Sequence, residues 1–364
     1  MNQVPTSPIK PPNAQTLELI RQQPSLLDVR APSEFAHGRM PGSTNLPILD
    51  DDERMQVGTA YKQEGHESAM ALGHRLVSGP RRQHRIDEWI EQCRSHPETQ
   101  VMCWRGGERS RLAQQWLAEA GFQQQRVEGG FKALRQACLY VLDHPEKNWW
   151  VVSGRTGSAK TTLIERLPNA IDLEGRANHR GSAFGSRFTP QPTPVSFENQ
   201  LATDYLQHEF LDLVVEDESR TIGRMGLPLA WHACMQQAQI ALVEVDIEER
   251  IAHIESEYVT AATAEAVSLG LSSEAVCQRY LNAATRIRRR LGGLRMDQLC
   301  GRIKAAFANQ ASHESWISYL LSEYYDPMYD FQLARKKDRI VYRGNHQEVM
   351  GFLAAQRQPL PRQQ

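Results

Sequence analysis

Trp149-Trp150-Val151-Val152-Ser153-Gly154-Arg155-Thr156-Gly157-Ser158-Ala159-Lys160-Thr161 passes from an apolar run through a glycine-bearing loop into a helical start, Leu163-Ile164. Strand, loop and helix in that order, with Lys-Thr closing the loop, is what phosphate binding by backbone amides requires. In this reading Gly154, Thr156, Gly157 and Ser158 shape a diphosphate cradle. Lys160 reaches the terminal charge and Thr161 holds a magnesium ion. One position departs from the pattern, because Ala159 stands where glycine is expected. Its methyl group is tolerated at negative φ and strains the cradle at positive φ.

Downstream, the apolar run Leu211 to Val215 ends in Glu216-Asp217-Glu218, and Asp217 is the expected magnesium carboxylate beside Thr161. The stretch from His179 to Gly185 joins cations to small residues, and reads as a second anion-binding loop or a surface loop. Ala170 to Leu173, Ile240 to Val245 and Ile340 to Tyr342 are further strand candidates. The chain between them is helical, rich in Ala, Leu, Arg and Glu from Glu248 to about Leu333. Alternating strands and helices predict a mostly parallel sheet, with the last strand and helix returning to it.

Upstream lies a second α/β pattern. Leu26 to Val29 and Val101 to Cys103 are short apolar strands, and helical spacing follows in Leu112, Trp116 and Leu117. Between strand and helix runs Cys103-Trp104-Arg105-Gly106-Gly107-Glu108-Arg109-Ser110. A thiol at a strand end, facing a helix N-terminus with two arginines near, suits a sulfur nucleophile handling an oxyanion or a transferred chalcogen atom. Gly106 and Gly107 let several N–H groups converge on one anion, with Arg105 and Arg109 beside them. A buried structural cysteine is the alternative.

The 364 residues carry 42 Lys+Arg against 43 Asp+Glu, for a net charge of −1. That excludes binding driven by a large positive excess, while a local basic face stays open. No apolar run approaches the roughly 20 residues that span a bilayer, and the first dozen residues show no apolar signal segment. Six cysteines without a CxxC pair point to reduced thiols in the cytoplasm. The sequence therefore divides into a flexible N-terminal tail (1–12), a first α/β domain (13–143), and a second one (148–247 and 334–364). Residues 248–333 form a helical region inserted into that second domain.

Leu27-Asp28-Val29-Arg30, Glu34-Phe35, His37-Gly38, Pro41-Gly42, Asn45-Leu46-Pro47 and Glu128-Gly129-Gly130-Phe131 resemble the signature of rhodanese-like domains. In that family the loop cysteine, here Cys103, carries a persulfide. The spacing from Cys103 to Arg109 is one residue longer than in the simplest such loop and is shared with rhodanese-like phosphatases. Joined to an NTPase-like P-loop domain, with Asp172-Leu173-Glu174-Gly175, Asp51-Asp52-Glu53-Arg54, Tyr61-Lys62-Gln63 and Glu323 to Tyr329, the chain resembles the bacterial tRNA 2-selenouridine synthases from about residue 13 to 355. The resemblance implies a transferase acting on tRNA with 2-thiouridine at the wobble position. Geranyl diphosphate would alkylate the sulfur, and selenium from selenophosphate, delivered by a selenophosphate supplier, would then replace it. Arg288, Arg289, Arg290, Lys336 and Lys337 are the expected tRNA contacts, and Tyr324, Tyr325 and Tyr329 either stack on a base or fill a core. A rhodanese-like cysteine phosphatase or sulfurtransferase coupled to an ATP-binding module is the alternative, and an RNA-binding sensor built on decayed enzyme domains a third.

Overall fold

The computed structural model describes residues 10–360; residues 1–9 of the expected tail, and 361–364, lie outside the described residues. Two compact units emerge. One runs through His144 and adds Thr193–Gln207; the other comprises Pro145–Pro192 and continues from His208. The Thr193–Gln207 stretch, which the sequence placed in the second domain, thus packs with the first. Its helix Pro194–Gln207 buries Phe197, Leu201 and Tyr205. Arg135 pairs with Glu198 and donates to Asn199 Oδ1 at 2.9 Å. Val195 fills the space over Gly38, where any Cβ would lie 2.3 Å from Val195 Cγ1.

The first unit is built on three parallel strands, β1 (Leu26–Asp28), β2 (Ser43–Asn45) and β3 (Gln100–Met102), in the order β2-β1-β3. The middle strand is wholly buried, so Asp28 goes into the core with its neighbours. Arg30, also 0 % exposed, meets it at 2.6 Å, donates to the Gly38 carbonyl, and lies 3.8 Å over the Phe131 ring. Burial pushes the Asp28 carboxyl up, and its hydrogen bonds to Arg30 work the other way. Trp89 and Trp116 stack at 5.9 Å in the adjoining helical layer. Helix Asp51–Glu64 opens with a reciprocal cap between Asp50 and Glu53, and the following helix His66–Leu76 packs against it.

The second unit carries β4 (Asn148–Gly154), β5 (Ala170–Ile171), β6 (Asp212–Glu216), β9 (Gln239–Val243) and β10 (Ile340–Gly344), all parallel, in the order β10-β9-β4-β6-β5. A short hairpin, β7 (Thr221–Ile222) and β8 (Met225–Gly226), follows β6. The closing strand does return to the sheet, at its edge. Strand β5 is shorter than its apolar run because Asp172 turns to cap a helix, accepting from Gly175 N at 2.7 Å. The helices between residues 247 and 334 bury their own core, including Tyr280, Trp316 and Leu299. Among the described residues no helix is long and apolar enough to cross a membrane.

Removing one partner of a buried ion pair strands the other charge, at a cost of about 3–5 kcal/mol. Arg30→Met is therefore expected to destabilise the first unit by that order, measured by urea unfolding.

Candidate active site: two anion-binding loops

Loop 154–160 leaves the C-terminal end of β4, the centre of its sheet, and Lys160 opens the next helix. Parallel sheets bind ligands at this end. Its shape is enforced from outside. Arg250, 2 % exposed, donates to the Thr156 carbonyl at 2.9 Å and clamps Asp326 with two bonds of 2.5 and 3.0 Å. Gly157 has φ +86°, and a Cβ there would fall 2.6 Å from Ile254 Cδ1 and 2.9 Å from the Arg250 carbonyl. At Gly154 a Cβ would lie 2.4 Å from Ser158 Oγ. Ala159 adopts φ +48°, ψ +38°, so the strained alternative posed by the sequence is the one realised. Lys160 Nζ donates to the Gly154 carbonyl at 2.9 Å, arching over the loop.

The loop opens into a cavity of ≈ 490 Å³ lined by Gly154, Thr156, Gly157, Ser158, Lys160 and Thr161. The stretch 180–183 joins them, so this part of the second candidate anion loop faces the cavity. Arg187, His253 and Tyr258 line it as well. Local pattern gives no sign of these three, because only the tertiary fold brings them here. Ser158 Oγ and Arg187 Nε are buried with no hydrogen-bond partner among the described residues, polar groups left for a ligand. Tyr324 and Tyr325 are both core residues and cavity wall, and the Tyr329 hydroxyl meets Ser153 Oγ at 3.0 Å.

Of the three acids around β6, Glu216 and Glu218 share one setting and Asp217 has another. Glu216 is fully buried, with Oε2 accepting from Leu173 N and Oε1 unpartnered; burial and the nearby Asp172 and Glu174 hold its carboxyl well above the usual range. Glu218 is raised likewise by burial, then by Glu174, with which it shares a hydrogen bond. Gly181, φ +66°, sits on this pair, and a Cβ there would strike Glu174 Oε1 at 2.1 Å. Asp217, the expected magnesium ligand, has both oxygens bound by Lys336 at 2.6 and 2.8 Å, and Ser153 Oγ donates to it at 2.6 Å. The described residues contain no group of three or more His, Cys, Asp or Glu placed to hold a metal, and Asp217 is engaged by Lys336 and Ser153. Lys336, one of the expected tRNA contacts, is thus turned onto Asp217. Lys337 and Arg288, Arg289 and Arg290 are exposed, and Arg290 also borders the cavity.

In the first unit Cys103 follows β3, and the loop leads into helix Glu108–Glu119. The carbonyls of Cys103 and Trp104 accept from the amides of Phe131 and Lys132, each at 2.9 Å. In planar trans peptides the N–H groups of Trp104 and Arg105 then point the opposite way, toward the loop's open side. Arg126 similarly binds the Gly106 carbonyl at 3.2 Å. Gly106 and Gly130 have positive φ, and a Cβ on Gly130 would strike the Cys103 carbonyl at 2.3 Å. Two features depart from the expectation. Cys103 is only 3 % exposed, and its thiol lies 3.3 Å from Ser110 Oγ. Arg109 is turned to Glu34, with bonds of 2.5 and 3.1 Å, because that partly buried carboxylate needs a cation. Arg105 is exposed. A cavity of ≈ 430 Å³ above the loop is lined by Ser33, Glu34, His37, Arg54, Trp104 and Arg109.

Two outcomes follow from this geometry. Iodoacetamide treatment of the native protein, read by peptide mass spectrometry, is expected to label the partly exposed Cys234, Cys277 and Cys300 before Cys103. Replacing Ala159 by glycine relieves left-handed strain of roughly 1–2 kcal/mol, part of it offset by the looser unfolded chain. Ala159→Gly is expected to raise the thermal midpoint, and Gly157→Ala to lower it.

Residues 147–359 match the family profile described as the tRNA 2-selenouridine synthase AAA domain, and residues 13–137 that of the rhodanese-like domain. Proteins named tRNA 2-selenouridine synthase are similar along nearly their whole length. That of Shewanella denitrificans is 43% identical over 94% of this chain and 97% of its own. That of Cupriavidus necator is 43% identical over 95% and 98%, and that of a Sulfurovum species 42% over 94% and 98%. With a rhodanese-like unit, a P-loop sheet and end-to-end similarity all in place, this chain belongs to the tRNA 2-selenouridine synthase family.

Proposed function

We propose that the chain is a cytoplasmic transferase that converts 2-thiouridine at a tRNA wobble position into 2-selenouridine in two steps. In the first, the thiouridine sulfur attacks the first carbon of geranyl diphosphate, and the C–O bond breaks with its electron pair leaving on diphosphate. The Gly154–Thr161 cradle takes that diphosphate. Lys160, with Arg180 and Arg187, balances the charge that develops as it departs. Tyr258, Tyr324 and Tyr325 offer the apolar wall for the ten-carbon chain. The carrying observation is this one cavity, whose lining combines the 154–161 loop and cations with unpartnered polar groups and buried aromatic residues. No step here depends on magnesium.

In the second step selenium of selenophosphate forms a bond to C2 of the base. The C2–S bond breaks, sulfur leaves with the pair as geranylthiolate, and the proton of the selenophosphate neutralises it. Water then cleaves the Se–P bond and releases phosphate, so no net oxidation occurs. A thioether sulfur leaves as a neutral thiol, which the original thiocarbonyl could not do. The loop from Cys103 to Arg109, through its outward amides and Arg105, is the site for the selenium reagent, and the Cys103 thiol acts there by hydrogen-bonding and orienting that reagent, forming no covalent bond in these steps. Because the thiol is enclosed, residues 104–107 must shift for it to act. Arg288, Arg289, Arg290 and Lys337 supply phosphate contacts to the tRNA.

The roles separate by variant. Lys160→Ala is expected to lower geranylation at least 100-fold. Cys103→Ala is expected to abolish selenium incorporation while S-geranyl-2-thiouridine accumulates. Nucleoside mass spectrometry after incubation with each reagent singly, then both, reads the two outcomes. Selenouridine formed at the wild-type rate by both variants would refute this assignment.

A further inference from the structure

Beside the cysteine loop the first unit holds a second cavity of ≈ 440 Å³, between helices Asp51–Glu64, His66–Leu76 and Glu108–Glu119. Its floor is apolar: Leu49, Val57, Met70, Val77, Leu112 and Trp116. Arg54, Lys62 and Arg109 line it as well, with His66, His74 and Glu108; Arg54 and Arg109, both paired with Glu34, also line the cavity above the cysteine loop. The two spaces therefore share a wall at the loop's own arginine. An apolar chain lying on this floor would have its attached polar group at Arg109.

Two glycines keep the groove open. Gly58 and Gly73 sit inside the paired helices, where glycine is less favourable than alanine. Packing does not explain them. A Cβ at Gly58 would meet nothing within 4 Å, and one at Gly73 only Val57 Cγ2 at an ordinary 3.8 Å. Neither has a positive φ. What their missing side chains leave is volume, in a cavity of the size that takes small ligands, roughly 300–1,000 Å³.

We infer that this groove holds the geranyl group of the S-geranylated base during the selenium step, and receives the geranylthiol as it leaves. The inference rests on the two-step reading above. An apolar floor bordered by charged and polar side chains suits an isoprenoid attached to a polar base. It places the C2–S bond beside the Cys103 loop, so that the departing thiol stays with the apolar surface and off the selenium path.

The test compares selenation of tRNA bearing S-geranyl-2-thiouridine with tRNA bearing S-methyl-2-thiouridine. The wild-type chain is expected to prefer the geranyl substrate by at least 10-fold in kcat/KM. In Gly58→Leu and Gly73→Leu, leucine is a good helix former and fills the groove. The preference should fall below 3-fold through loss on the geranyl substrate, with circular dichroism confirming the fold. An unchanged preference in both variants overturns the proposal. If the wild-type chain selenates neither substrate, the two-step reading fails. The groove is then judged by equilibrium dialysis with S-geranyl-2-thiouridine nucleoside, and equal binding by wild type and variants overturns it. A wild-type dimer that the leucine variants convert to monomer would also overturn it, by showing that a second copy covers this face.

Discussion

Arg250 is the side chain on which the second unit's site depends. It is almost fully buried, and a buried guanidinium must have its donors satisfied. It does so by gripping the Thr156 carbonyl and the Asp326 carboxylate, tying the phosphate-binding loop to the helical region. Because its own carbonyl presses on Gly157, the loop cannot accept a side chain there. The helical region is thus part of the site's framework and does more than carry a basic surface. Arg155 adds a weaker, exposed tie to Asp330.

Charge in this cavity is arranged by depth. Burial raises the carboxyls of Glu216 and of the Glu174–Glu218 pair, and the mutual repulsion of these neighbouring acids works the same way on Glu216 and Glu218. Asp217 keeps its charge neutralised by Lys336. Lys160, Arg180 and Arg187 share the cavity lining with Glu174, Asp217 and Glu218, and Arg180 also pairs with Glu257 at 3.6 Å. The Glu174–Glu218 pair also explains Gly181, since no other residue could let the loop lie so close to both carboxyls.

The first unit solves a related problem with backbone in place of side chains. Phe131 and Lys132 at the start of a helix take the carbonyls of Cys103 and Trp104, turning the adjacent amides outward. Close contact between Gly130 and the loop makes the Gly129-Gly130 pair as much a part of the cradle as Cys103 itself. Glu34 holds Arg109 and Arg54 together, setting the edge that two neighbouring cavities share.

Both loops could be read from the chain because their chemistry is local: a few consecutive residues between a strand and a helix fix the direction of amides and the position of one lysine or one thiol. The parallel sheets and the returning last strand were legible from alternating apolar runs for the same reason. What contiguity does not carry was invisible. The helix Pro194–Gln207 joins the first unit through contacts with residues about 60 to 160 positions away in the chain. Lys336 reads as one of a basic run, yet folding brings it to Asp217, 119 residues away. Whether Ala159 bends the loop into the left-handed region, whether Cys103 faces water, and whether Arg109 meets an anion or Glu34 are decided by neighbours that only tertiary packing supplies. Sequence specified the groups; the competition among buried charges for partners set where each one points.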